Sequence, residues 1–145
     1  MLKNIPPILS PALLKTLMEM GHSDEIVIAD GNFPAQSMGK SAIVLRADGH
    51  TVPELLSAIL QLLPLDQYVE SPVALMAVTP GDPCGTPSIW EEYRHILKQN
   101  GENDERIEMM ERFAFYERAK KAYAIVATGE KAIYANVLLK KGVVK

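Results

Sequence analysis

A histidine and an aspartate lie close together in the first part of the chain and could handle a proton. His22 follows the expected end of a helix and precedes Asp30 by eight residues. A helix C-terminus and a nearby carboxylate both favour the protonated imidazole, so His22 could be a proton donor that titrates near neutral pH. The same spacing also fits an exposed surface histidine.

Asp30 ends the short apolar run Glu25–Asp30, which predicts a strand buried on both faces. Open α/β sheets bind ligands outside the carboxyl ends of their strands, so a strand-end aspartate is a candidate ligand-binding residue. It could equally be a loop cap that accepts hydrogen bonds from backbone N–H groups.

Two further pairs of residues could recognise hydroxyl groups. Tyr134 and Asn136 are two apart in an expected strand and would emerge on one face, as a phenol and an amide without charge. Arg112 and Tyr116 are four apart and share a face if their segment is helical. The alternatives are a solvent-facing pair on an edge strand and core aromatics beside a solvated run of charges.

Composition excludes several other classes of function. The net charge of −3 provides no basic field for nucleic acid or an anionic membrane. The apolar segment from Leu55 to Leu65 is far shorter than the roughly 20 residues of a membrane helix, and the N-terminus lacks the pattern of a signal peptide. A lone cysteine, Cys84, forms no intrachain disulfide and fits a reducing compartment, so we expect a cytoplasmic protein. No second histidine stands at metal-ligand spacing, and the Gly81–Gly85 loop lacks the Lys-Ser/Thr of a phosphate loop.

The candidate residues are spread over alternating strands and helices. We expect helices starting at Ser10-Pro11 and at Thr51, and further helices at 88–99 and 104–121. The expected strands are 25–30, 41–46, 73–78, 123–127 and 132–139, the last two forming a hairpin. This alternation predicts one α/β domain over residues 1–145, a three-layer α/β/α sandwich with a mostly parallel mixed sheet and a C-terminal hairpin.

Several segments together resemble the fucose mutarotase and ribose pyranase family. The similarity runs in order along nearly the whole chain, through residues 20–34, 46–49, 63–72, 111–122 and 127–136. The segment Arg112–Tyr116 is similar to the fucose branch and absent from the ribose branch. The family therefore implies interconversion of the α and β anomers of L-fucose, with ribose pyranase activity or a non-catalytic sugar-binding or assembly protein as alternatives.

The resemblance also implies an active site and its chemistry. The implied reaction requires only general acid–base groups, which move one proton from the anomeric hydroxyl and another to the ring oxygen. It requires no metal or other cofactor. As catalytic residues it implies His22, Tyr116 and Asp66, with His22 as the main proton-transfer group and Tyr116 or Asp66 as a second relay. As sugar-binding residues it implies Asp30, Arg112, Tyr134 and Asn136, and Asp30 could also orient His22.

Finally, the resemblance implies a homo-oligomer, from a dimer up to a decameric ring, with active sites between subunits. The sequence adds its own reasons. An expected edge strand ending in Leu138 and Leu139 would need covering. The aromatic cluster of Phe113, Phe115 and Tyr116 is suited to an interface core.

Overall fold

One mixed sheet organises the chain, and the computed structural model describes all of residues 1–145. The strands are β1 (Glu25–Ala29), β2 (Ile43–Ala47), β3 (Val73–Met76), β4 (Ile107–Met110), β5 (Ala124–Thr128) and β6 (Val137–Lys140). The helices are α1 (Pro11–Glu19), α2 (Ala35–Met38), α3 (Val52–Leu60), α4 (Ile89–Gln99) and α5 (Arg112–Lys120). The strand order is β2-β5-β1-β6-β3-β4, and β6 alone runs antiparallel to its neighbours.

Two of the helix starts follow directly from local sequence. The Ser10 side chain accepts a hydrogen bond from the Leu13 N–H at 3.1 Å, with proline at the first helical position. Thr51 and Glu54 form a capping box at the start of α3. Both predicted starts are confirmed.

The sheet is covered on both faces, which confirms the three-layer α/β/α architecture. Alternate residues of β1 point to opposite sides, as in any strand. Ile26 and Ile28 belong to the larger core cluster, which includes residues of α1, α3 and α4. Val27 and Ala29 belong to the smaller one, with residues of α2 and α5. No helix is long and apolar enough to cross a membrane.

The prediction of a C-terminal hairpin is wrong. β6 does not pair with β5 but lies between β1 and β3, where Leu138 is opposite both Val27 and Ala74. Leu138 and Leu139 are completely buried, and a strand that is apolar on both faces gains most burial in the middle of a sheet. The argument for assembly from an exposed C-terminal edge therefore fails.

The expected helix over residues 104–121 is also corrected. Its first part is the edge strand β4, which pairs in parallel with β3. The helix α5 begins only at Arg112, because the Glu111 carboxylate accepts hydrogen bonds from the N–H groups of Phe113 and Ala114. The short helix α2, after Pro34, was not anticipated.

Candidate active site

A small pocket lies where β1, β3 and β4 end and β6 begins. It has a volume of about 210 Å³, below the roughly 300–1,000 Å³ of sites for drug-sized ligands, so it suits a small solute. Five of the seven predicted site residues line it, namely Asp30, Tyr116, Arg112, Tyr134 and Asn136. They come from distant parts of the chain and converge at the edge where α/β sheets bind ligands.

Asp30 and Asn136 are joined across the floor of this pocket. The Asp30 N–H donates to Asn136 Oδ1 at 2.8 Å, and the Ala135 N–H donates to Asp30 Oδ2 at 3.4 Å. Asp30 Oδ1 accepts from the Asn32 N–H at 3.0 Å. Both side chains are buried, so their remaining polar atoms are oriented by the backbone before any ligand arrives. Asp30 therefore caps its loop and lines the pocket, which combines both sequence interpretations.

Tyr134 is held in an unusual backbone conformation by helix α4. Its φ is +55°, in the left-handed region that non-glycine residues seldom occupy. The Trp90 Nε1–H donates to the Tyr134 carbonyl at 2.8 Å, and the Tyr93 hydroxyl donates to the Ala135 carbonyl at 2.6 Å. The prediction that Tyr134 and Asn136 lie in a strand is wrong, because β6 starts at Val137. Both nevertheless line the same pocket.

The first turn of α5 supplies the cationic side of the pocket. Arg112 and Tyr116 lie one turn apart and both line the cavity. The Arg112 guanidinium stacks over the Phe113 ring at 4.6 Å and forms no salt bridge. The Tyr116 ring packs edge-on against Phe33, with centroids 5.6 Å apart. The helical spacing thus places a free cation and a phenol side by side.

Asp82 is a site residue that the sequence analysis missed. It lines the pocket from the loop after β3, and its Oδ2 accepts a hydrogen bond from the Tyr134 hydroxyl at 2.7 Å. Its other oxygen accepts from the Cys84 N–H at 2.9 Å. Asp30 directly follows its strand, whereas Asp82 lies further along the loop after Met76, so the rule that singles out Asp30 does not reach it. Asn32 lines the pocket as well, two residues beyond Asp30.

His22 and Asp66 lie at the opposite end of the sheet. Ser23, next to His22, donates its N–H to the Lys141 carbonyl, and the Asp66 N–H donates to that of Lys140. Lys140 ends β6 and Lys141 follows it, whereas Asn136 precedes the strand. The five residues of β1 separate the two ends, a span of about 15 Å.

Within this second cluster, His22 Nε2 lies 3.1 Å from Asp66 Oδ1. Asp66 is buried, with 1% of its side chain exposed, whereas 42% of the His22 side chain is exposed. The Tyr68 ring lies beside the imidazole, 5.5 Å away between centroids. Within one chain, the carboxylate that orients His22 is therefore Asp66, and the expected pairing of His22 with Asp30 does not occur.

The carboxylates of the two clusters differ in their electrostatics. Burial raises the pKa of Asp30 above its ordinary value of 3.8, although backbone hydrogen bonds from Asn32 and Ala135 oppose this. The hydrogen bond from Tyr134 lowers the pKa of Asp82. Burial opposes ionisation of Asp66, but hydrogen bonds from the Tyr68 N–H and from His22 keep its pKa below the ordinary value. No group of three or more metal-ligating side chains comes together in the chain.

Comparison with known proteins places the chain in a family. A protein of Danio rerio named fucose mutarotase is 53% identical over 146 residues, covering 99% of this chain and 94% of that protein. An L-fucose mutarotase of Actinobacillus pleuropneumoniae (serotype 5b, strain L20) is 51% identical over 143 residues, covering 99% and 97%. The crystal structure of a Streptococcus pneumoniae fucose mutarotase in complex with L-fucose superposes with a TM-score of 0.93 at 53% identity, covering 99% of this chain and 100% of that one. The sequence profile of the RbsD / FucU transport protein family matches residues 3–144, and the chain belongs to this family.

Proposed function

We propose that this protein is a mutarotase that interconverts the α and β anomers of L-fucose, as a single domain over residues 1–145. The observation that carries the proposal is the small pocket lined by Asp30, Arg112 and Asn136, in a chain that is about half identical over its whole length to proteins named fucose mutarotase. One of these relatives was crystallised with L-fucose. The exposed free thiol of Cys84 supports a cytoplasmic location.

The pocket offers the groups that a monosaccharide needs. The Asp30 carboxylate accepts hydrogen bonds from sugar hydroxyls, and the Asn136 side-chain amide donates to sugar oxygens. Arg112 donates from the rim without a competing carboxylate. These groups bind the sugar in one orientation, so that its anomeric carbon faces the proton-transfer groups.

The reaction itself needs two proton transfers. A base removes the proton of the anomeric hydroxyl while an acid protonates the ring oxygen, and the C1–O5 bond breaks to give the open-chain aldehyde. Rotation about C1–C2 turns the other face of the carbonyl toward O5, and the reverse transfers close the ring as the other anomer. His22 is the main proton-transfer residue in this proposal, and Tyr116 in the pocket is a candidate for the second.

His22 requires a second copy of the chain to take this role. The imidazole lies about 15 Å from the pocket of its own chain, a distance no side chain bridges. We therefore propose a homo-oligomer in which the His22–Asp66 pair of one copy completes the pocket of another. Exposed apolar groups lie near both ends: Tyr68 beside His22 is 66% exposed, and Phe113 beside Arg112 is 61% exposed.

Asp66 then has a positioning role. Its side chain is too buried to meet a sugar, but its hydrogen bond fixes the ring orientation of His22. Asp66 thus holds the imidazole while His22 exchanges protons at the neighbouring site.

NMR magnetisation transfer between the anomeric protons tests the function directly. We expect the protein to speed exchange of L-fucose more than that of D-ribose, with no change after treatment with EDTA. Faster exchange of D-ribose would favour the pyranase reaction, and sugar binding without exchange would indicate a non-catalytic binding protein. Activity lost on chelation and restored by a divalent ion would contradict a cofactor-free mechanism.

A further inference from the structure

The loop after β3 holds the Tyr134 hydroxyl from two sides. The Thr79 N–H donates to the phenol oxygen at 3.2 Å, and the hydroxyl donates to Asp82 Oδ2 at 2.7 Å. A phenol has one O–H donor and two acceptor positions. The donor and one acceptor position are therefore occupied within the protein, and a single acceptor position remains for a ligand.

We propose that Asp82 is a positioning residue that turns the Tyr134 hydroxyl proton away from the pocket, so that the phenol meets the sugar only as a hydrogen-bond acceptor. This inference rests on the proposed sugar-binding role of the pocket. A phenol held in this way accepts a hydrogen bond from a sugar hydroxyl, but it offers no proton to a sugar oxygen that carries none, such as the ring oxygen.

The loop geometry is suited to this role. Gly81 has a φ of +89° and Gly85 one of +69°, conformations that glycine adopts without strain. The carboxylate of Asp82 is also fixed, because its second oxygen accepts from the Cys84 N–H at 2.9 Å. The Tyr134 backbone is anchored by Trp90, so both partners of the hydrogen bond are held before a ligand binds.

Two substitutions separate this role from simple support of the loop. Asp82→Ala removes both hydrogen bonds. Asp82→Asn keeps the hydrogen bond from the Cys84 N–H when the amide oxygen faces that group. The amide NH₂ then faces the Tyr134 hydroxyl and donates to it, so the phenol proton must turn into the pocket. We expect both variants to lose fucose exchange by about ten- to hundredfold, the range for a hydrogen bond to a charged group.

The decisive measurement is a double-mutant cycle with Tyr134→Phe. If Asp82 acts through the phenol, either substitution should change the rate by less than about twofold in the Tyr134→Phe background. Cys84→Ser is the matched control, since it alters an exposed side chain of the same loop and keeps the backbone bond to Asp82. Thermal midpoints of all variants verify that they are folded.

The outcomes separate the two proposals. Wild-type rates for Asp82→Asn, or the same loss with and without the Tyr134 hydroxyl, would overturn the role of Asp82. The same cycle measured as L-fucose affinity by calorimetry does not depend on turnover. If the wild-type protein binds fucose without exchanging its anomers, and the variants show the coupling in affinity, the mutarotase proposal alone is refuted. If the wild-type protein does not bind fucose, both proposals are overturned.

Discussion

Mixing two impaired variants should restore anomer exchange if active sites are shared between copies. His22→Ala removes the proton-transfer group at one end of the sheet, and Tyr134→Phe removes the phenolic hydroxyl at the other. A homo-oligomer of either variant alone has the same lesion in every site. A site is intact only where a Tyr134→Phe copy supplies His22 and a His22→Ala copy supplies Tyr134.

The fraction of intact sites in the mixture can be calculated because His22 and Tyr134 of one site come from different copies. In an equimolar random assembly, each of the two contributing copies is the required variant half of the time. About one site in four is then intact, whether the assembly is a dimer or a closed ring. If His22 and Tyr134 served one site within a chain, the mixture would contain no intact site.

The assay is magnetisation transfer on L-fucose after the two variants are unfolded together and refolded as a mixture. The matched control is the same two variants refolded separately and combined at once, before subunits can exchange. We expect about a quarter of the wild-type rate per chain from the co-refolded sample and only the residual rate of the two variants from the control. A co-refolded oligomer that exchanges fucose no faster than the control, or a fully active wild-type monomer, would refute the shared site.

Three further predictions concern single residues. His22→Ala should slow exchange by about 10²–10⁴-fold with little loss of fucose affinity, measured by calorimetry, and complete loss of binding in a folded variant would make His22 a binding residue. If the Asp30 carboxylate is required, wild-type exchange should fall with decreasing pH through its pKa, which burial raises above 3.8. The Asp30→Asn variant should bind fucose weakly and exchange its anomers slowly at every pH, without the fall in rate at low pH. If this variant kept the wild-type pH profile, the fall would not belong to Asp30. Phe115→Ala should lower the free energy of unfolding by about 3–5 kcal/mol, because Phe115 is fully buried between α5 and the sheet. The control Glu117→Ala, at an exposed position of the same helix, should change it by less than about 0.5 kcal/mol. A smaller effect of Phe115→Ala in denaturant titrations would refute the packing argument.

The site was only partly accessible to sequence reasoning. The position of Asp30 followed from its place after a buried strand, and the shared face of Arg112 and Tyr116 followed from helical spacing. Asp82 lies in a loop rich in proline and glycine, whose sequence excludes a phosphate loop but indicates no other site. Its hydrogen bond to Tyr134 joins residues 52 apart in the chain, which no local pattern reveals.

The amino-acid sequence by itself determined the helix starts at Ser10 and Thr51 and most of the buried strands. Caps and apolar runs act over a few residues, so their physics can be evaluated locally. The tertiary structure alone decided that the last strand lies in the middle of the sheet, and that His22 pairs with Asp66, 44 residues away, at the end opposite the pocket. Strand order and such pairings depend on which arrangement buries the most apolar surface of the whole sheet at once, a balance that only the folded chain settles.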